Sequence, residues 1–141
     1  MKTYKSKISY GLLLFIFILF FGIILSMLFT NEEIEGVFVT SGILLLTLAF
    51  IFYIFFSIKY SIDNGVIKIR CGVIFKKDLS INKIKTISKT SSLISSPAAS
   101  FDRIELKYDK FNSVIISPES QRDFVDELIA INPNIVNELG L

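Results

Sequence analysis

Two long uncharged stretches within the first 58 residues constrain this chain more than any other feature. Tyr10 to Phe29 is a run of 20 residues without a charge, and Val37 to Ile58 is a second run of 22. At about 1.5 Å rise per residue, 20 helical residues cover roughly 30 Å, the thickness of a bilayer's hydrocarbon core. In hydrocarbon an unpaired backbone group costs several kcal/mol, so such segments close their own hydrogen bonds as helices. A pair of buried core helices is the alternative. Both stretches are apolar all round, however, and the rest of a 141-residue chain is too short to cover two such cylinders. A cleaved leader fits no better. The first run is long for a signal peptide, and Leu28, Phe29 and Thr30 make a poor cleavage site. The expectation is a membrane anchor over residues 1–58, with spans at about 10–29 and 37–58, and a second domain over residues 59–141.

Flanking charge sets the expected orientation. Lys2, Lys5 and Lys7 precede the first span, and Lys59, Lys68 and Arg70 follow the second. Between them Thr30-Asn31-Glu32-Glu33-Ile34-Glu35-Gly36 is short and acidic. Positive residues stay cytoplasmic, so the spans read as a helical hairpin in the cell membrane with both termini in the cytoplasm. Neither span holds an ionisable acid or base of the kind that marks an ion path, which favours an anchor over a conduit. Gly22-x-x-x-Ser26 permits close helix approach but recurs by chance.

Beyond Lys59 the period changes from helical to two. Ile67, Ile69 and Cys71 alternate with Lys68 and Arg70, and Asn64-Gly65 is a two-residue hairpin signal, so Tyr60–Ile62 pairs with Val66–Arg70. Gly72 turns the chain into a third strand, Val73 to Leu79. Ile81, Ile84 and Ile87 recur every third residue, which either a bulge or a short helical turn would produce. After a polar loop over Ser91 to Ser100, Phe101 to Tyr108 reads as a strand with Ile104, Leu106 and Tyr108 inward and Arg103, Glu105 and Lys107 outward. A turn over Asp109-Lys110-Phe111-Asn112 leads into Ser113 to Ile116. Ser117-Pro118-Glu119 has the residues that open a helix: a capping hydroxyl, proline at the first position and an acid in the first turn. Phe124, Val125, Leu128, Ile129 and Ile131 form its apolar stripe, Asn132-Pro133 stops it, and Ile135 to Leu139 adds a last turn. The predicted domain is a small α+β unit, a twisted antiparallel sheet closed by one C-terminal helix.

These residues resemble a known family. Strands closed by one helix match the pleckstrin-homology (PH) superfold, and the tail is similar to the bacterial YyaB-like PH domain, which often follows two membrane spans. The resemblance covers about residues 59–135. It rests on Tyr60-x-Ile62-x-x-x-x-Ile67-x-Ile69, on Ile84-x-x-Ile87, and on Ser95-Ser96-Pro97-Ala98-Ala99-Ser100-Phe101-Asp102-Arg103-Ile104. Ile116-Ser117-Pro118, Phe124 and Asn132-Pro133 complete it. The family usually carries a larger aliphatic residue where Ala99 stands. The resemblance implies a fold more than an activity.

Two candidate binding regions follow. Residues 59–89 hold eight Lys/Arg against two acids, among them Lys76, Lys77, Lys83 and Lys85. Cations next to a membrane attract anionic lipid, although outward strand positions also carry lysines for solubility alone. The second region is the loop entering the later strand, with Ser96, Ser100, Asp102 and Arg103. Arg103 and the hydroxyls suit a phosphate or a partner's carboxylate, or else brace the loop against the sheet.

Catalysis has little to build on. The chain has no His and one Cys, which removes the commonest general base, the commonest metal ligand and any intramolecular disulfide. No Gly-rich phosphate loop is present, the serines have no base partner, and the carboxylates are scattered. No catalytic, cofactor or metal site is expected, and nucleic acid is disfavoured by the acids of residues 102–138. The expected role is a non-enzymatic binding or scaffold module whose partners are the bilayer, its anionic surface, or an unidentified protein. The alternative is a small accessory subunit of a larger membrane complex.

Overall fold

The computed structural model describes residues 2–29, 33–92 and 98–140. The chain divides into two compact units, one of Ser9–Ile54 and one that joins Met1–Ile8 to Phe55–Leu141.

The first unit holds α1 (Tyr10–Leu28) and most of α2 (Ile34–Ser57). Only 6% of each apolar window is buried within the chain, and both helices are long and apolar enough to cross a membrane. Two hydroxyls inside these helices are satisfied within their own helix, Ser26 donating to the Ile23 carbonyl and Thr47 to that of Ile43, both at 2.8 Å. The second helix starts three residues earlier than expected, and Glu35 in its first turn complements the positive end of the helix dipole.

The other unit contains two four-stranded sheets. The first has the order β1 (Lys2–Lys5), β2 (Ile58–Asp63), β3 (Val66–Cys71), β4 (Phe75–Ser80), all antiparallel. The hairpin expected from Asn64-Gly65 is present. Asp63 pairs with Val66, and both turn residues have positive φ, 48° and 74°, as a type I′ turn requires. Strand β4 begins two residues later than its pattern suggested, because Gly72 at φ 53° opens a turn that includes Val73 and Ile74.

The second sheet has the order β7 (Asn112–Ile116), β6 (Arg103–Tyr108), β5 (Ile84–Thr90), β8 (Val136–Asn137). The three-residue recurrence of Ile81, Ile84 and Ile87 has both of its possible causes. A 3-10 turn spans Ile81–Lys83, and the β5–β6 register shifts between Ile84 and Thr86. The helix α3 (Gln121–Ile131) buries Phe124, Val125 and Leu128, each worth about 1.5–3 kcal/mol. Together with Tyr60, Ile67, Ile69, Ile87, Ile104 and Leu106 they form the core.

Four expectations are corrected. The anchor does not own the N-terminal residues: Lys2–Lys5 form an edge strand of the domain, in register Tyr4 to Tyr60 and Lys5 to Lys59. The helix starts at Gln121 with Ser120 at its cap, not at Ser117-Pro118. That segment is claimed by the N-terminal strand instead: Lys7 donates its N–H to the Ser117 carbonyl, Glu119 donates to that of Lys5, and Ser6 bridges Pro118. Ile131, expected in the apolar stripe, is 40% exposed, while Ile135 beyond the helix is buried. Finally, the expected last helical turn is the parallel strand β8 against Thr86 and Ile87, extended by a bond from Glu138 to the Ile87 carbonyl.

Candidate functional site

The loop entering β6 is tied down by its own side chains. Ser100 is buried, and its Oγ accepts the Asp102 N–H at 3.2 Å. Arg103, expected to face outward, is buried at 8% exposure. Its guanidinium replaces water with backbone carbonyls: Nε donates to Ser100 at 2.5 Å, one terminal nitrogen to Ser92 at 2.9 Å and the other to Ala98 at 3.5 Å. The Phe101 ring lies 6.0 Å away. Arg103 therefore acts as a brace for the loop, since its fork is spent on carbonyls. Ser96 lies outside the described residues.

Asp102 is a different case. Its carboxylate accepts Lys7 Nζ at 2.7 Å and has Lys89 at 3.7 Å, while its carbonyl accepts Gln121 Nε2 at 3.2 Å. The hydrogen bond from Lys7 leads in holding its carboxyl below the usual range, with Gln121 and the Lys7 and Lys89 charges helping against partial desolvation. The pair joins the chain's N-terminal segment to the start of β6.

Beneath it lies a buried polar cluster. Tyr60 donates its hydroxyl to Ser6 Oγ at 3.3 Å and accepts the Ser117 N–H at 3.1 Å. Ser6 and Ser117 share a hydroxyl contact of 2.9 Å, and the Ala99 N–H reaches Ser6 Oγ at 3.5 Å. Burial pushes the Tyr60 phenol up, so it stays neutral and able to donate.

The four candidate lysines do not form one patch. Lys77 and Lys83 line an open pocket of 370 Å³ with Asp78, Asp109 and Tyr108. There Lys77 Nζ meets the Tyr108 hydroxyl at 2.5 Å and stands 4.9 Å from its ring centre. Two cations and two acids share that rim, so the pocket has no strong preference of sign. Lys76 lies on the outer face of β4, and Lys85 is exposed on β5. Among the described residues no group of three His, Cys, Asp or Glu could hold a metal ion. Cys71 is buried, and desolvation raises its thiol pKa, the opposite of an activated nucleophile.

The sequence reading missed the N-terminal side chains. Tyr4 is buried edge-on against Phe124 at 5.1 Å and donates to the Glu127 carboxylate, which Lys2 Nζ also reaches at 3.1 Å. Desolvation pushes the Glu127 carboxyl up, but the bonds from Tyr4 and Lys2 outweigh it and leave it low. The signal was present as alternation: Tyr4, Ser6 and Ile8 interleave with Thr3, Lys5 and Lys7.

Two mainly antiparallel sheets closed by a helix, preceded by two long apolar helices, define a PH-like domain behind candidate membrane spans. A family model described as a bacterial PH domain matches residues 58–132, and the chain belongs to that family. No significant match exists among curated proteins or solved structures. PH domains are generally non-catalytic binding modules.

Proposed function

We propose that this chain is a membrane-anchored PH-like binding module, without enzymatic activity, held at the cytoplasmic face of a bacterial cell membrane by a two-span hairpin. One observation carries the reading. Strand β1, before the first span, pairs with β2, directly after the second. A chain whose two ends meet in one sheet leaves and returns on the same side of a bilayer, so it crosses an even number of times. Lysines at both ends and acids between the spans favour the cytoplasm for that side. The uncovered apolar surface of α1 and α2 supports insertion.

Binding falls to the surfaces that the fold leaves polar and reachable: the edges of the two sheets and the rim shared by Lys77 and Lys83. PH-like sheets commonly use edges and loops for peptides or headgroups, which is an analogy of fold. The test is protease treatment of oriented vesicles after carbonate washing. The expected result is a carbonate-resistant protein whose tags at both ends are digested only from the cytoplasmic side. Release by carbonate, or tags digested from opposite sides, contradicts it.

A further inference from the structure

The outer face of the first sheet concentrates its cations in a single cross-strand row. Lys5 pairs with Lys59, Lys59 with Arg70, and Arg70 with Lys76. Partners in antiparallel strands share a face, so four cations stand side by side. Like charges placed directly opposite destabilise a sheet. The next row shows the usual mixture: Thr3, Ser61, Lys68 and Asp78. Arg70 leans to that row, 2.5 Å from Asp78. Among the described residues Lys5, Lys59 and Lys76 have no acidic partner.

The row also has a definite place. It lies one residue from the end of the sheet where the chain arrives from α2, since Lys59 is two residues beyond Ser57. At that same end the β3–β4 turn projects. Gly72 donates its N–H to the Ser57 carbonyl, and Ile74 donates to that of Cys71, closing a tight loop. Its two remaining side chains are apolar and bare, Val73 at 79% exposure and Ile74 at 59%. Turn positions ordinarily carry polar residues.

We propose that this end of the domain docks on the anionic leaflet that its own helices cross, the Val73-Ile74 tip entering the headgroup boundary and the Lys5–Lys59–Arg70–Lys76 row binding lipid phosphates. Anionic lipid supplies the countercharge that the sheet lacks, and the boundary region accepts the tip's apolar side chains. The surface differs from Lys77, Lys83 and Lys85. Of the four candidate lysines Lys76, Lys77, Lys83 and Lys85, Lys76 alone belongs to it. The proposal rests on α1 and α2 being membrane spans.

The chain contains no Trp, so Ile74→Trp gives a single reporter in the full-length protein. The protein is reconstituted into vesicles of phosphatidylcholine, alone or mixed with phosphatidylglycerol. In the anionic vesicles the emission should be blue-shifted and quenched by brominated lipid. Raising salt to about 1 M, where screening acts within about 3 Å, should reverse this. Each neutralised cation should lower the docked-to-free ratio about fivefold, so Lys59→Gln/Lys76→Gln should lower it about 25-fold. Lys85→Gln, an exposed position on β5 away from the row, should leave it unchanged. A Trp open to acrylamide in anionic vesicles overturns the proposal and leaves the face to a protein partner. A lipid-buried Trp indifferent to salt and to the Lys59 and Lys76 changes overturns it too. Carbonate extraction of the same vesicles tests the spans separately: a chain that stays inserted while its Trp remains in water defeats the docking alone.

Discussion

Tyr60 of β2 donates its buried hydroxyl to Ser6 Oγ, just after β1, across 3.3 Å, although 52 residues separate the two strands along the chain. The two long apolar helices therefore occupy the connection between adjacent strands β1 and β2. The domain is closed only when both of its pieces are present.

The tyrosine hydroxyl also satisfies the Ser117 N–H, so Tyr60→Phe leaves a buried donor without its partner. The expected loss is about 1–3 kcal/mol. Thermal unfolding in detergent measures it, and Cys71→Ser serves as a comparison outside the cluster.

Excision is a stronger test of the split domain. Residues 59–141 alone lack β1 and expose the β2 edge, an invitation to aggregation. Joining residues 2–8 to 57–141 through a short glycine-rich linker, in place of the helices, should yield a soluble monomer. Size-exclusion chromatography of the two fragments decides, with the excised 59–141 piece aggregating.

Much of this fold could be read locally, and what could not has a common cause. The Asn64-Gly65 hairpin was legible because two residues dictate its turn. The stripe of Phe124, Val125 and Leu128 was legible because its period is intrinsic to a helix. Strand β1 was not, because lysines beside an apolar span read as a charged flank, and its partner lies beyond both helices. The same pairing explains the misplaced helix start. Ser117-Pro118 has good capping chemistry, yet Lys7 and Ser6 hold those positions in an isolated antiparallel bridge. Arg103 obeyed strand alternation on paper, but a loop covering the end of β6 offers it carbonyls inside. The candidate loop is marked by its residues, whereas its brace depends on carbonyls of Ser92, Ala98 and Ser100 that only the folded chain brings together.

Removing that brace should be costly. Arg103→Ala leaves the Ser100, Ser92 and Ala98 carbonyls without their donor and should destabilise the domain by about 3 kcal/mol. Arg103→Lys keeps the charge but loses the fork, and should recover less than half of it. Differential scanning fluorimetry of both variants checks the order.

Acid should weaken the attachment of β1. The Asp102 and Glu127 carboxyls are both held below their ordinary range in the folded protein, through Lys7 for the first and Tyr4 with Lys2 for the second. A depressed folded pKa means that the unfolded chain binds protons first as pH falls. The stabilisation is thus present above about pH 4 and fades as pH drops through the folded values. Both groups are partly exposed, so each contributes less than about 1 kcal/mol. Melting temperatures from pH 7 to 3 should fall more steeply for the native chain than for Asp102→Asn.

The most direct measurement of the split domain is a cross-link between its two pieces. Thr3 and Ser61 are register partners whose hydroxyl oxygens stand 3.1 Å apart. Thr3→Cys/Ser61→Cys, in a Cys71→Ala background, should form an intramolecular disulfide when isolated membranes are mildly oxidised, while each single cysteine stays free. Failure of the pair to close, with the two thiols labelled from opposite sides of the membrane, would contradict a domain assembled around a membrane hairpin.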